Sequence, residues 1–400
     1  MMACSAIAVC QSSCSSDGTV EDIEEIVQTD PMRFSARGID SSEAPQTRAA
    51  ELLKTDFLVS AWKSYNKAAQ QTVMPAYLVK YSEDAWSNTS NWDYVNIAYA
   101  SNTQSQKYWD NEGYPYRFHA LAPAPADKSG YELGEADLSA GKSTIVVPAT
   151  YKMQTCTDGS VSPATAVAEP HLLAQVKRDA NGKDYDIING AEINNASASL
   201  TRTVALPFHH LTSKVRFAIY TDDLWVTGGE HGALPIKDVT INISSSDFAT
   251  DAKYSYTVTP AEGSLYTIEG FTDKTLDNTQ PAILKYSGAG KTDNDLTNFT
   301  SQQKAFFFDC PDGLLQIPQK NVELCLTMNL GGTDKPFVWV PIKVKPSAEA
   351  DPISQFTWEP GYIYTYYLKI TEVNKMEIEF TAVLTQWQDI SGSIDTSLEN

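Results

Sequence analysis

Polar and apolar residues alternate along much of the chain, most regularly near its C-terminal end. Between Met376 and Leu384 every second residue is apolar, and most of the intervening residues are polar. Tyr362 to Ile370 shows the same period of two, which is the side-chain period of a strand with one face in a core. The short polar stretch 371–375 between these runs predicts a β-hairpin.

Shorter runs of the same kind recur along the chain. The first covers residues 31–37, where Met32, Phe34 and Ala36 alternate with polar residues, and the second covers 57–62. A short helix is predicted near 134–139, and 273–298 is predicted to be a polar surface loop. The pattern predicts an all-β chain with few short helices, built from two antiparallel β-sandwich domains in tandem.

The turn-rich region ends near residue 203, where the alternation strengthens. We therefore predict an N-terminal sandwich over 31–203 and a C-terminal sandwich over 204–400. The length of 400 residues fits two domains. The formal net charge of -20 disfavours nucleic acid as a partner, because phosphate binding needs clustered Lys and Arg.

The N-terminus has the features of an export signal. Residues 1–10 are nearly all small or apolar, although the basic segment that usually precedes such a run is missing, which a start of translation upstream would explain. Cys14 follows Ser12 and Ser13, so residues 1–14 are predicted to be a lipoprotein signal with Cys14 lipidated. Cys10 is the alternative. The acidic stretch 15–30 is predicted to be a flexible tether.

The three cysteines of the body show no metal-binding spacing. Cys156, Cys310 and Cys325 are interpreted most simply as small apolar core residues. A bond between Cys310 and Cys325 stays open as an alternative in an oxidising compartment.

Residues with catalytic or metal-binding chemistry are sparse. His209 and His210 are adjacent, so on a strand they point to opposite faces and do not share a metal; one is predicted to be buried and the other exposed. Asp293, Asn294 and Asp295 lack the Gly and distal Glu of a calcium loop. No catalytic motif or nucleotide fingerprint is present. We therefore predict a protein that is not an enzyme and needs no metal or cofactor.

Several tryptophans could instead stack on sugars. Trp86, Trp92, Trp109 and Trp225 are candidates for such a platform, although packing in a core is their commoner use. An exposed platform would favour an alternative function, that of a carbohydrate-binding outer-membrane lipoprotein of a glycan uptake system.

Four segments, in order, resemble the fimbrillin-like family of type V pilus subunits from Bacteroides-like bacteria. They are residues 107–123 (KYWDNEGYPYRFHALAP), the Phe34-Ser35 pair followed by Thr47-Arg48-Ala49, residues 206–215 (LPFHHLTSKV), and Trp358 to Tyr362 with the closing hairpin. Asp110 departs from the family pattern, where proline is usual. The resemblance implies transthyretin-like Greek-key sandwiches in a lipoprotein exported to the outer membrane and displayed on a pilus.

The resemblance also implies a mode of assembly. An arginine-specific protease would cut after the first strand, and a strand from another subunit would fill the vacated groove by β-strand addition. Arg48 is the preferred cleavage site and Arg37 the alternative. The removable strand would carry Met32, Phe34 and Ala36. The C-terminal tail, with Ile390, Ile394 and Leu398 at an even spacing, is a candidate donor strand. The partners would be other pilus subunits and the protease, with the membrane contacted only through the lipid and the adhesion ligand unknown.

Overall fold

The structure is a computed structural model, and its elements are almost all strands. It describes residues 31–38, 53–65, 69–83, 91–100, 102–110, 113–137, 142–163, 172–188, 190–193, 203–221, 232–258, 268–331, 337–344, 351–372 and 377–386. Helical structure within these ranges is limited to three 3-10 turns, at Ile268–Gly270, Leu296–Asn298 and Gln302–Lys304. The predicted all-β class is confirmed.

The first half of the described chain contains fourteen strands, several of them only two or three residues long. In chain order they are β1 Phe34–Gly38, β2 Phe57–Tyr65, β3 Ala69–Tyr81, β4 Trp92–Asp93, β5 Ala98–Tyr99, β6 Asn102–Thr103, β7 Tyr116–Ala122, β8 Glu132–Asp137, β9 Lys142–Lys152, β10 Thr155–Thr157, β11 Ser160–Ser162, β12 Leu172–Arg178, β13 Asp184–Asp186 and β14 Ala191–Glu192.

The second half of the described chain contains thirteen strands, on average longer. They are β15 Val204–His210, β16 Ser213–Thr221, β17 Ile236–Ile243, β18 Phe248–Val258, β19 Phe271–Asp277, β20 Ala282–Ser287, β21 Leu314–Gln316, β22 Gln319–Val322, β23 Leu324–Leu330, β24 Phe337–Pro341, β25 Phe356–Trp358, β26 Tyr362–Glu372 and β27 Glu377–Gln386.

The largest sheet, here called the first sheet, has the order β1-β15-β12-β7-β2-β3-β4, with β13 and β14 extending from β12. Both of its faces carry buried apolar side chains. On β2, Phe57 and Val59 belong to one apolar cluster, whereas Leu58 belongs to another on the opposite face. This second cluster lies against the bridging sheet, ordered β19-β18-β9-β8, so two sheets enclose one core.

The bridging sheet joins strands from distant parts of the sequence. β9 pairs antiparallel with β18, and Tyr254 lies opposite Val147. β15, which begins at Val204, belongs to the first sheet, and the change to another sheet falls between β15 and β16. The domain boundary between 203 and 204 stays a prediction. Strand pairs cross it: β9 pairs with β18, and β12 pairs with β15.

A second sandwich encloses the largest apolar cluster. One layer is the six-stranded sheet, ordered β11-β10-β20-β17-β23-β24, and the other is the hairpin sheet, ordered β21-β16-β26-β27. β26 and β27 pair in antiparallel register from Tyr362 opposite Gln386 to Glu372 opposite Glu377. The predicted C-terminal hairpin is confirmed.

Two local predictions were wrong. Residues 134–137 are strand and not helix, because they belong to β8, which pairs with β9 and whose Leu133 is buried opposite Ile145; residues 138 and 139 lie outside the described residues. The segment 273–298 is not a surface loop, because it contains β20, whose Ile283 and Tyr286 are buried in the second sandwich. In both places pairing with a distant strand outweighs a weak local pattern.

The disulfide links Cys156 of β10 to Cys310, 154 residues further on. The alternative prediction of a bond between Cys310 and Cys325 is wrong, because Cys310 is bonded to Cys156. For the same reason, the interpretation of Cys156 and Cys310 as small apolar core residues without a disulfide is wrong. Cys325 is buried and unbonded, as expected for a small apolar side chain. A disulfide typically stabilises a fold by about 2–4 kcal/mol.

Candidate functional site

The predicted removable strand forms the outermost strand of the first sheet. β1 pairs in parallel with β15, from Phe34 opposite Val204 to Gly38 opposite Phe208. The amide of Val204 donates to the carbonyl of Arg33 at 2.8 Å. No other strand of the described chain pairs with β1. It is therefore bound to the sheet through a single ladder.

The side chains of this segment enter the core nonetheless. Met32 is 2% exposed and Phe34 is 1% exposed. The ring of Phe34 lies 6.3 Å from that of Phe57, 5.9 Å from that of Tyr94 and 6.0 Å from that of Phe118, each in an edge-on arrangement. Losing β1 would open an apolar groove lined by these rings.

Two hydrogen bonds at Met32 hold the segment just before β1. The amide of Met32 donates to the carbonyl of Lys107 at 2.8 Å, and the hydroxyl of Tyr94 donates to the carbonyl of Met32 at 3.0 Å. Burial raises the pKa of the Tyr94 hydroxyl far above its usual value, although its hydrogen bond with the Lys107 amide acts in the opposite direction. The hydroxyl therefore stays protonated and able to donate.

A buried ion pair supports the strand on which β1 lies. The guanidinium of Arg178 makes two hydrogen bonds to the carboxylate of Asp184, at 2.7 and 2.8 Å, and both side chains are fully buried. It also donates to the carbonyl of Thr203 at 3.3 Å and lies 4.5 Å from the ring centroid of Trp109. The pair thus fixes the residue immediately before β15.

Sequence reasoning did not find this pair. The visible signal was modest: Arg178 and Asp184 flank the Asn181-Gly182 turn between β12 and β13. A turn of this type brings the two residues opposite each other. The neighbouring sequence does not indicate that both side chains are buried, because the residues that pack over them, such as Trp109, are distant in the sequence.

The predicted site residues are only partly described. The backbone of Arg37 lies in β1 opposite Pro207, and that of Ala36 lies opposite Leu206. The remaining candidates lie outside the described residues; they are Cys10, Cys14, Arg48, Ile390, Ile394 and Leu398. Lipidation, cleavage and donation by the tail therefore stay predictions.

The adjacent histidines are both buried, at 8% exposure for His209 and 3% for His210. The expectation that one is exposed was wrong, because both faces of the first sheet are covered. Nε2 of His209 lies 2.8 Å from the carboxylate of Asp186. Within the described ranges, no three His, Cys, Asp or Glu side chains are grouped so as to hold a metal.

Replacing His210 by Gln is expected to flatten the pH dependence of stability. Burial lowers the pKa of His210 well below its usual 6.5, and the nearby charges of Lys214 and His209 lower it further. Below about pH 6.5 the unfolded chain binds a proton that the folded chain does not, so stability falls as the pH falls, by up to about 1.4 kcal/mol per unit. Urea unfolding at pH 7.5, 6.5 and 5.5 measures this slope. Equal slopes for both proteins would contradict the assignment.

The acidic segment 293–295 has a structural use. A carboxylate oxygen of Asp295 accepts from the backbone amides of Leu234 and Thr297. The side-chain Nδ2 of Asn294 donates to the carbonyl of Ile236 at 2.8 Å. These contacts tie the start of the 3-10 turn Leu296–Asn298 to β17.

Two of the four tryptophans proposed as a sugar platform lie in a core. Trp92 and Trp109 are each 3% exposed and belong to the core under β1. Trp86 and Trp225 lie outside the described residues. The sugar-stacking interpretation is therefore wrong for the two that are described.

None of the described helices has the length and apolar character needed to cross a membrane.

Comparison with known proteins gives a family match and several similar folds. The fimbrillin-like family matches residues 47–387. No curated protein sequence matches the chain. A putative cell adhesion protein from Bacteroides uniformis is 14% identical, with coverage of 89% of this chain and 99% of its own, at a TM-score of 0.40. A fimbrial protein from Bacteroides vulgatus is 13% identical, with coverages of 90% and 99% and a TM-score of 0.40.

A third similar structure is the tip fimbrial protein Mfa3 from Porphyromonas gingivalis, with a C-terminal truncation. It is 9% identical to this chain, with coverages of 89% and 99% and a TM-score of 0.35. All three TM-scores are below 0.5, so the relationship rests on the family match over 47–387.

Proposed function

Because the chain belongs to the fimbrillin-like family, we propose that it is a structural or adhesive subunit of a cell-surface fimbria and polymerises by strand exchange. The observation that carries this proposal is the position of Phe34. It is 1% exposed in the core of the first sheet, yet it lies on an edge strand paired only with β15 among the described strands. Such a strand completes the fold and can still be replaced by another of similar shape.

The exchange begins with removal of β1. Cleavage after Arg48 separates β1 covalently from β2, and release of β1 then exposes the edge of β15 and the rings of Phe57, Tyr94 and Phe118. An open edge above an apolar groove favours pairing with an incoming strand. The tail beyond β27, with Ile390, Ile394 and Leu398, is the proposed donor. No step in this sequence requires catalysis by the chain itself.

Arg48 is preferred to Arg37 as the cleavage site for a structural reason. Arg37 lies within β1, and its backbone is paired with Pro207 of β15. A protease binds its substrate as an exposed, unpaired segment, so the peptide bond after Arg37 is protected while β1 is in place. Arg48 lies in the polar segment of sequence after β1.

The proposal also includes a lipid anchor on Cys14, or on Cys10, that places the precursor at the outer membrane. The anchor is on the N-terminal side of Arg48. Cleavage therefore cuts the covalent link between the subunit and the lipid, and the later release of β1 both frees the subunit and vacates the groove.

Digestion of the folded precursor with an arginine-specific protease tests the proposal. Arg48→Lys and Arg37→Lys are matched variants that keep the charge and remove the protease site. We expect one cut after Arg48, blocked by Arg48→Lys and unaffected by Arg37→Lys, followed by concentration-dependent polymers. The mass of the released fragment identifies the acylated cysteine. A cleaved chain that stays monomeric at high concentration would exclude strand exchange.

A further inference from the structure

The outer face of the six-stranded sheet carries polar side chains in register. On β17, Val239 and Ile241 belong to the core of the second sandwich, so Asp238 and Thr240 lie on the opposite face. Strands β23 and β20 flank β17 on either side. This outer face therefore extends over at least three adjacent strands.

Two rows of polar residues cross these strands. In one row Thr240 lies opposite Thr327 of β23 and Lys285 of β20. In the next row Asp238 lies opposite Asn329 and Ser287. Within the described part of the chain, no hydrogen bond or ion pair is made by the side chains of Asp238, Thr240 and Asn329. Their polar atoms are available to a ligand.

Trp339 lies on β24, the strand next to β23 at the end of this sheet, and the residue after it, Val340, packs against the core of the second sandwich on the other face. It is 42% exposed, whereas the other described tryptophans are at most 6% exposed. Leu326 pairs with Val340 and Met328 with Phe337, so two residues of β24, Val338 and Trp339, oppose the single residue Thr327.

This arrangement is a β-bulge, which re-aims side chains at the edge of a sheet. The amide of Trp339 donates to the hydroxyl of Thr327 at 3.3 Å, so the backbone of Trp339 lies beside the first polar row. Its φ is +52°, a left-handed conformation that is uncommon for a bulky residue. The bulge also interrupts the outer edge of β24 and so disfavours the addition of another strand there.

We propose that this face binds a neutral oligosaccharide, with the ring of Trp339 stacked on a sugar and the two polar rows bonded to sugar hydroxyls. A sugar ring has an apolar face of C–H groups, which an exposed indole can cover. Its hydroxyls both donate and accept hydrogen bonds, as Thr and Asn side chains do, while Asp accepts.

Length and charge define the ligand further. Strands lie about 4.8 Å apart, so β24 to β20 spans roughly 14 Å, which suits a short chain of sugars rather than a single one. The rows carry one negative side chain, Asp238, and one positive side chain, Lys285, so they have no net charge for an anionic glycan, and the net charge of -20 disfavours sulfated or sialylated glycans. This binding does not depend on strand exchange, so either proposal can fail without the other.

The test uses the full chain on a printed array of neutral gluco-, manno-, galacto-, xylo- and lactosamine-type oligosaccharides, with heparin and sialylated glycans beside them. The strongest neutral ligand is then titrated by calorimetry. We expect Trp339→Ala to weaken its binding by about tenfold or more. Asn329→Ala, which leaves the bulge intact, is expected to weaken it less.

Leu276→Ala is the matched control, because Leu276 is a 56% exposed apolar residue on β19 of the bridging sheet. It should bind as the wild type does. Thermal unfolding establishes that each variant is folded. Absence of binding to every neutral oligosaccharide, binding only to the charged glycans, or unchanged affinity in Trp339→Ala would overturn the proposal.

Discussion

Replacing Asp184 by Ala is expected to lower the free energy of unfolding by about 3–5 kcal/mol, because it leaves the buried guanidinium of Arg178 without its counter-charge. Both side chains are fully buried and are joined by two hydrogen bonds. Since Arg178 also holds the carbonyl of Thr203, the loss should extend to the start of β15. Urea unfolding followed by tryptophan fluorescence measures the change.

The same hairpin offers a matched control. Lys183 and Glu192 form an ion pair at 3.1 Å, but their side chains are 44% and 50% exposed. Lys183→Ala should hardly move the unfolding midpoint, because exposed ion pairs contribute little to stability. Replacing Arg178 by Met together with Asp184 by Leu should recover much of the loss. If Asp184→Ala unfolds at the same urea concentration as Lys183→Ala, the pair does not support the first sheet.

Replacing Phe34 by Ala is expected to cost about 3–5 kcal/mol in the intact chain, through lost burial and the cavity left among Phe57, Tyr94 and Phe118. Phe34→Leu, which keeps most of the volume, should cost less than about 1.5 kcal/mol. The comparison is made by urea unfolding before any proteolysis.

The same variants report on strand removal. Once the chain is cut after Arg48 and β1 has left, wild type and Phe34→Ala have identical sequences in what remains. Their unfolding curves should then coincide. A difference that persists after cleavage would mean that β1 stays in its groove.

Local alternation was sufficient to predict the strands whose period is regular. The β26–β27 hairpin and the apolar side of the first strand follow from a period of two, because one face of each enters a core. The burial of Met32 and Phe34 agrees with that reading.

Pairings between distant strands left no such signal. β1 pairs with β15, about 170 residues away, and β9 pairs with β18, about 100 residues away. The sequence of one strand does not indicate which distant strand it pairs with. The same holds for the disulfide between Cys156 and Cys310.

The exposure of single side chains was the least predictable property. His209 and His210 were expected to differ in exposure, yet both are buried because other residues pack on both faces of the first sheet at this position. Trp339 was not singled out from the sequence, since its exposure depends on a bulge opposite Thr327. The residues that matter most for the proposed binding face and for the support of β15 are therefore known only from the fold.

The proposed strand exchange requires that the edge of β15 is first occupied by β1, then vacated, and then filled by a strand of another subunit. Hydrogen exchange measures this directly at the β15 amides that face β1, beginning with Val204, which donates to Arg33. These amides should be protected in the intact chain, exchange rapidly in the dilute cleaved monomer, and be protected again in the polymer. Protection that is the same in the cleaved monomer and the polymer would contradict strand exchange at β15.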